Sequence, residues 1–163
     1  MNDQSGLFYR IVFADRLGDV LEPVRNPEGR FHHDGEPALY TSCTAAGARQ
    51  ALDYYARSDD PPRMIVELKV TGAKLFDLRE PADRDTLSLN YDDALVRWQD
   101  ERAAGRSATT WQVSNAVRAS GADGMFYPSS TRPDVFHMVL FRWNSLGGAV
   151  VRVHGKPVPC ELP

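Results

Sequence analysis

Three short polar segments, far apart in the chain, hold the residue types best suited to gripping a charged ligand. Gly29-Arg30-Phe31 comes first, then Ala38-Leu39-Tyr40-Thr41-Ser42, and much later Gly121-Ala122-Asp123-Gly124-Met125-Phe126-Tyr127-Pro128-Ser129. An arginine, a tyrosine and a serine at the edges of apolar elements suit a ligand with a phosphate, an aromatic ring and sugar hydroxyls. The guanidinium of Arg30 offers a planar fork of donors that matches phosphate oxygens. Its alternative is a loop-anchoring ion pair with Asp34 or Glu36. Tyr40 could stack on a ring, with its hydroxyl as a polar handle, or be a core tyrosine at a sheet edge. Ser129 follows a stiffening Tyr127-Pro128 pair and could hydrogen-bond an amide or a sugar, and Ser130 is its near-equivalent. No Ser-His-Asp arrangement marks Ser129 as a nucleophile.

Other polar residues read more plainly. Arg10 lies in the middle of an apolar stretch, an awkward place for a charge unless it reaches a cleft or a partner. Phosphate binding and structural pairing stay equally open for it. His32 and His33 lack a third ligand at metal-binding spacing and read as an exposed loop pair, with His32 a candidate contact to phosphate or ribose. No metal site is expected. His137 reads as a structural histidine in an apolar strand. Tyr54 and Tyr55 read as helix-packing residues, and Trp98, Trp111 and Trp143 as core. Asp83, Asp85, Asp92 and Asp93 read as a solvated face.

The elements that must position these residues follow from periodicity and breakers. Leu7–Phe13 predicts a strand. Residues 14–37, punctuated by Gly18, Pro23, Pro27, Gly29, Gly35 and Pro37, predict a long loop of the kind that often carries function. Residues 38–42 predict a short strand. Ser42 or Thr44 can cap a helix carrying Ala45, Ala48, Leu52, Tyr55 and Ala56, which ends at Asp59-Asp60-Pro61-Pro62. Met64, Val66, Leu68 and Val70 alternate with Glu67 and Lys69, the clearest strand in the chain. Residues 74–78 predict another strand and 79–90 an irregular segment. Ala94, Leu95, Trp98 and Arg102 predict a helix stopping at Gly105. Residues 108–120 predict a helix burying Trp111, Ala116 and Val117. Residues 124–127 and 136–143 predict strands, 149–153 a weaker one, and 155–163 an extended tail. This order predicts an α+β single domain over 1–163, with its core at about 7–153 and a mixed or antiparallel split sheet with flanking helices.

Bulk properties narrow the class. The chain has 163 residues, 42% hydrophobic and 25% charged, which suits one globular domain. A net charge of −3 gives no general attraction to nucleic acid, so none is expected as a direct partner. Two cysteines, Cys43 and Cys160, read as reduced thiols of a cytoplasmic protein. The N-terminal segment does not read as a secretory signal, and no apolar run reaches the roughly 20 residues of a membrane span. There is no GxGxxG, no P-loop and no zinc spacing.

Taken together, the segments resemble the RES domain family, named for Arg, Glu and Ser. Phe8-Tyr9-Arg10 resembles the aromatic–Arg pair of the family's first strand. Gly29-Arg30-Phe31-His32 resembles its Gly-Arg-Trp-Asn, and Leu39-Tyr40-Thr41-Ser42 its Tyr-x-Ser segment. Thr110-Trp111-Gln112 through Ser129 resembles its last conserved block. The resemblance spans roughly residues 7–145. It implies a fold like that of diphtheria-toxin-like ADP-ribosyltransferases. It also implies a bacterial toxin acting on NAD and held by a cognate antitoxin. Under it, Arg30 and Arg10 clamp the pyrophosphate, Tyr40 and Ser129 hold the nicotinamide, and His32 contacts phosphate or ribose.

Two positions depart from the family pattern. His32 stands where Asn is usual. Ala51, between Gln50 and Leu52, stands where the family has its glutamate, and Asp53 points about 200° away around a helix. Without that carboxylate, the expectation is mono-ADP-ribosyl transfer to a cellular protein, which brings its own nucleophile. NAD hydrolysis or phosphorolysis is the alternative, and an inactive NAD- or antitoxin-binding module is a second.

Overall fold

The alternation of Met64, Val66, Leu68 and Val70 produces the organising strand of the molecule. In the computed structural model, which describes residues 1–53 and 55–161, it is part of one long strand, β3, Arg63–Asp77. The two strands expected at 64–70 and 74–78 are therefore continuous. Gly72, at φ +65°, is where the strand changes partner, and the left-handed conformation explains glycine there.

β3 takes neighbours on both edges. Along one edge runs β1, Asn2–Phe13, antiparallel, with Phe8 opposite Leu68. Along the other edge, residues before Gly72 pair antiparallel with β6, Val150–Cys160, and residues after it pair parallel with β4, Gly124–Pro128. β4 pairs with β5, Phe136–Leu140, and β5 with β2, Leu39–Ser42, both antiparallel. β2 meets β1 at Ser42 and Tyr9, and β1 returns to β3. The expected α+β fold with a mixed sheet is present. The sheet rolls back on itself in a barrel-like form, which fits the expected split sheet loosely. Residues 155–160, expected as a tail, continue β6, and residues 162 and 163 lie outside the described residues.

The two faces of β2, β4 and β5 feed two cores. Leu39, Phe126, Met138 and Leu140 join Phe8, Leu68 and Leu75 in one. Tyr40, Met125, Tyr127 and Val139 join Phe31, Val113 and Val117 in the other. Period-two alternation makes this division. Full burial of each Leu or Val stabilises by about 1.5–3 kcal/mol.

Among the described residues, four α-helices decorate the sheet. α1, Ala45–Asp53, is capped by Thr44, whose hydroxyl accepts the Gly47 N–H at 2.9 Å. α2, Pro81–Leu87, occupies a segment expected to be irregular, and Pro81 starts it where a missing N–H is harmless. Asp83 is buried there, accepting the Asp77 N–H and the Met1 ammonium, so it belongs to no solvated face. The helix expected across 94–102 is a 3₁₀ turn at Tyr91–Ala94 followed by α3, Trp98–Ala103, which ends before Gly105. α4, Thr109–Ala119, buries Val113 and Val117, while Trp111 and Ala116 are half-buried.

The tryptophans, expected as core, are each half-buried, and two of them serve as hydrogen-bond donors. The indole N–H of Trp143 donates to the Leu21 carbonyl at 2.8 Å and that of Trp111 to the Gly29 carbonyl at 2.8 Å. Both pin the long 14–37 loop, which also contains a 3₁₀ turn at Ala14–Asp19. Tyr54 lies outside the described residues. Tyr55, expected to pack a helix, follows α1 and is 61% exposed. Among the described residues, no helix is long and apolar enough to cross a membrane.

Candidate active site

The second face of the sheet carries a polar row. Ser42, His137 and Tyr127 are register partners on β2, β5 and β4. Ser42 Oγ and His137 Nδ1 are 2.9 Å apart, and the Tyr127 and His137 rings are 5.4 Å apart between centroids. α1 covers this row from one side and leaves a cleft of about 260 Å³. Its walls include Arg10, Tyr40, Ser42, Ala51, Tyr127 and His137.

Arg30 lies over the Tyr127 ring, with its guanidinium carbon 5.0 Å from the centroid. Its Nη2 donates to the carbonyls of Ala94 and Pro128, at 2.5 and 3.2 Å. Neither Asp34 nor Glu36 pairs with it, and among the described residues no carboxylate lies within ion-pair distance. Burial lowers its pKa, yet arginine stays charged. Arg10 is held similarly. Its Nη1 donates to the carbonyls of Val20 and Glu22, at 2.7 and 3.1 Å, with no carboxylate partner among the described residues. Burial brings its pKa down to about 10. Two cations are thus fixed by neutral carbonyls, with other donor nitrogens left over.

The Gly29–His32 turn positions Arg30 and Tyr40 together. Gly29 N–H donates to the His32 carbonyl at 2.9 Å. A Cβ on Gly29 would sit 2.3 Å from His32 Cε1, so only glycine fits. Tyr40 Oη accepts the Phe31 N–H at 2.9 Å, so its own proton goes to His32 Nδ1 at 2.8 Å. That leaves His32 Nε2–H to donate to the Asn26 carbonyl at 2.9 Å. His32 is buried with both nitrogens engaged and does not line the cleft. Its place is behind Tyr40, holding the ring on the cleft wall. Burial lowers the His32 pKa, and burial raises that of Tyr40, so both stay neutral.

Ser129 is adjacent to the Pro128 carbonyl that holds Arg30, but its hydroxyl faces its own turn. It accepts the N–H groups of Thr131 and Arg132, both at 3.3 Å. The structure therefore brings Arg10, Tyr40, Tyr127 and His137 onto one cleft with Arg30 above Tyr127, and does not bring His32 or Ser129 onto its walls. Ala51 lines the cleft, whereas Gln50 and Asp53 do not, and no carboxylate does.

His137, Ser42 and Tyr127 were not singled out from sequence as ligand contacts. Their signal was period-two spacing: Ser42 is two residues from Tyr40, and His137 shares a face with Val139. His137 is neutral at ordinary pH, its pKa pushed down to about 4 by burial and by the Arg30 charge. The thiol of Cys43, half-buried, is pushed up to about 12 by burial, which disfavours its thiolate; Cys43 and Cys160 form no disulfide. Among the described residues, no cluster of three metal-ligating side chains is present.

Comparison with known proteins bears on the fold and the family. The fold is similar to a chain in the crystal structure of the M. tuberculosis MbcT–MbcA toxin–antitoxin complex. The TM-score is 0.69 at 18% identity, over 97% of this chain and 85% of that one. No curated protein matches the sequence. The RES domain family matches residues 7–162, nearly the whole chain, and the protein belongs to that family.

Proposed function

We propose that this chain is the toxin of a toxin–antitoxin pair, and that it cleaves the nicotinamide–ribose bond of NAD and passes ADP-ribose to a cellular protein. RES domain toxins act on NAD, and the absence of a carboxylate from the cleft walls favours a protein acceptor. One observation carries the reading: two arginines held by carbonyls, with no carboxylate neutralising them, Arg10 on the wall of an aromatic-walled cleft and Arg30 over its Tyr127 ring. Buried uncompensated cations are costly and call for an anionic ligand. A pyrophosphate flanked by a nicotinamide fits that charge and those rings. The cleft lies just below the roughly 300–1,000 Å³ of typical ligand pockets, so it would enclose the nicotinamide riboside end rather than the whole dinucleotide.

The chain's residues would act by positioning. Arg30 and Arg10 hold the pyrophosphate. Tyr40, fixed through His32, and Tyr127 hold the nicotinamide end. As the glycosidic bond breaks, its electron pair leaves with neutral nicotinamide and positive charge develops on the ribose. Nothing among the cleft walls offers a carboxylate to activate water. That favours an acceptor bringing its own nucleophile, with NAD hydrolysis or phosphorolysis as the alternative. A cognate antitoxin partner is supported by the neighbouring toxin–antitoxin complex.

Incubation with labelled NAD, alone and with bacterial lysate, tests the reading. Label on a discrete protein, lost in Arg30→Ala, is expected. Soluble ADP-ribose or its phosphate without labelled protein indicates the alternative. NAD binding without turnover indicates an inactive module.

A further inference from the structure

The cleft has a charge problem that its own walls must answer. As the ribosyl cation develops, the cleft walls offer it no carboxylate, so a lone pair facing the sugar has to take that place. Most hydroxyls on the walls are already engaged. Tyr9 Oη donates to Glu67, Tyr40 Oη to His32, and Thr41 Oγ1 to the Met138 carbonyl.

Two wall side chains keep a lone-pair atom unpartnered among the described residues, Tyr127 Oη and His137 Nε2, and the imidazole nitrogen is the stronger base. The Nδ1 of His137 is bonded to Ser42 Oγ, but among the described residues its Nε2 has no hydrogen-bond partner. Nε2 is not sealed away either, since the buried, partnerless polar atoms are Thr110 Oγ1 and Arg118 Nε. His137 is 5% exposed and lines the cleft, so the unpartnered nitrogen is the one that faces it. Burial and the nearby Arg30 keep the ring neutral, which preserves a lone pair.

We propose that His137, oriented by Ser42, contacts a hydroxyl of the nicotinamide ribose and does the work that a carboxylate at position 51 would do. Ser42 Oγ accepts from Nδ1–H, which fixes the tautomer, and Nε2 accepts the sugar hydroxyl. No bond forms to His137 and no proton leaves the sugar. The ring places the ribose and offers its lone pair to the developing cation. Ala51 on the helical wall and His137 on the sheet floor belong to the same cleft, so either position could serve the same sugar. This proposal rests on the reading that the cleft takes NAD.

Calorimetric titration with ADP and with ADP-ribose separates the ribose contact from the phosphate contact. Wild type is expected to bind ADP-ribose more tightly than ADP. His137→Ala should weaken ADP-ribose by about tenfold, the loss of one buried hydrogen bond, and leave ADP unchanged. Ser42→Ala, which keeps the ring, should give a smaller loss in the same direction. It also serves if His137→Ala fails to fold. In wild type, the His137 imidazole nitrogen resonances should shift with ADP-ribose and not with ADP. NAD turnover lost in His137→Ala should return in His137→Ala/Ala51→Glu, which a merely structural histidine would not permit. Equal weakening of both ligands, resonances insensitive to ADP-ribose, or no rescue by Ala51→Glu would overturn the proposal while ADP binding still upholds the NAD reading. Failure of wild type to bind either ligand would overturn both.

Discussion

The two faces of β2, β4 and β5 are built from alternating residues of the same short strands, yet they differ in kind. One face gives Leu39, Phe126, Met138 and Leu140 to an apolar core. The other gives Tyr40, Tyr127 and Val139, and with them the polar row of Ser42 and His137. The first face closes the sheet, and its requirement is volume. The second carries an arginine, a neutral histidine and two oriented tyrosines, each held by a named partner. Substitutions should therefore separate by face: stability losses from one, ligand losses from the other.

The largest expected effect tests the apolar face. Leu140→Ala, at a fully buried position, should destabilise the protein by about 2–5 kcal/mol in urea denaturation, with residual ligand affinity unchanged in the folded fraction. Arg30→Ala tests the other face. It should weaken ADP-ribose by about 2–3 kcal/mol, the range for a charge-assisted contact, while changing stability far less. If Leu140→Ala and Arg30→Ala affected stability and affinity alike, the division would fail.

Acid should act through the second face. His137 has its pKa pushed from 6.5 to about 4, and burial lowers that of His32 as well. A depressed histidine leaves stability intact above its unfolded value and removes it as pH falls toward the folded one. His137 alone should remove about 2 kcal/mol between pH 7 and pH 5. His137→Gln should flatten that part of the profile in denaturation measured across pH.

Two smaller effects sharpen the edges of the site. Trp111→Phe removes the bond to the Gly29 carbonyl and should cost about 1 kcal/mol of ADP-ribose affinity by loosening the Arg30 turn. Ser129→Ala breaks only turn contacts at 3.3 Å and should change stability by less than about 0.5 kcal/mol, with affinity unchanged. A tenfold or greater loss of affinity in Ser129→Ala would bring that hydroxyl into the site.

Much of the fold was legible because strands announce themselves by alternation. The face of Met64, Val66, Leu68 and Val70 was read directly, and Thr44 was one of two capping residues considered for α1. What was hidden depended on distant partners. The strands read separately at 64–70 and 74–78 are one, because Gly72 between them changes the strand's neighbour from β6 to β4. Asp83 looked solvated, because its partner is the chain's own N-terminus. The site was legible in its residue types but not in their orientations. Tyr40 lines the cleft, and Arg30 lies over its Tyr127 ring without lining it. His32 and Ser129 lie next to such residues in sequence, yet hydrogen bonds turn both away from its walls. Conversely, His137 looked structural because one of its nitrogens is; the other opens into the cleft.

Release of free nicotinamide from NAD tests the central claim most directly, since transfer, hydrolysis and phosphorolysis all begin with that bond. Purified protein supplied with bacterial lysate should release nicotinamide at a rate that falls at least about tenfold in Arg30→Ala, in keeping with loss of the pyrophosphate contact. Undiminished release by Arg30→Ala, or none by wild type under conditions where NAD is bound, would contradict the account.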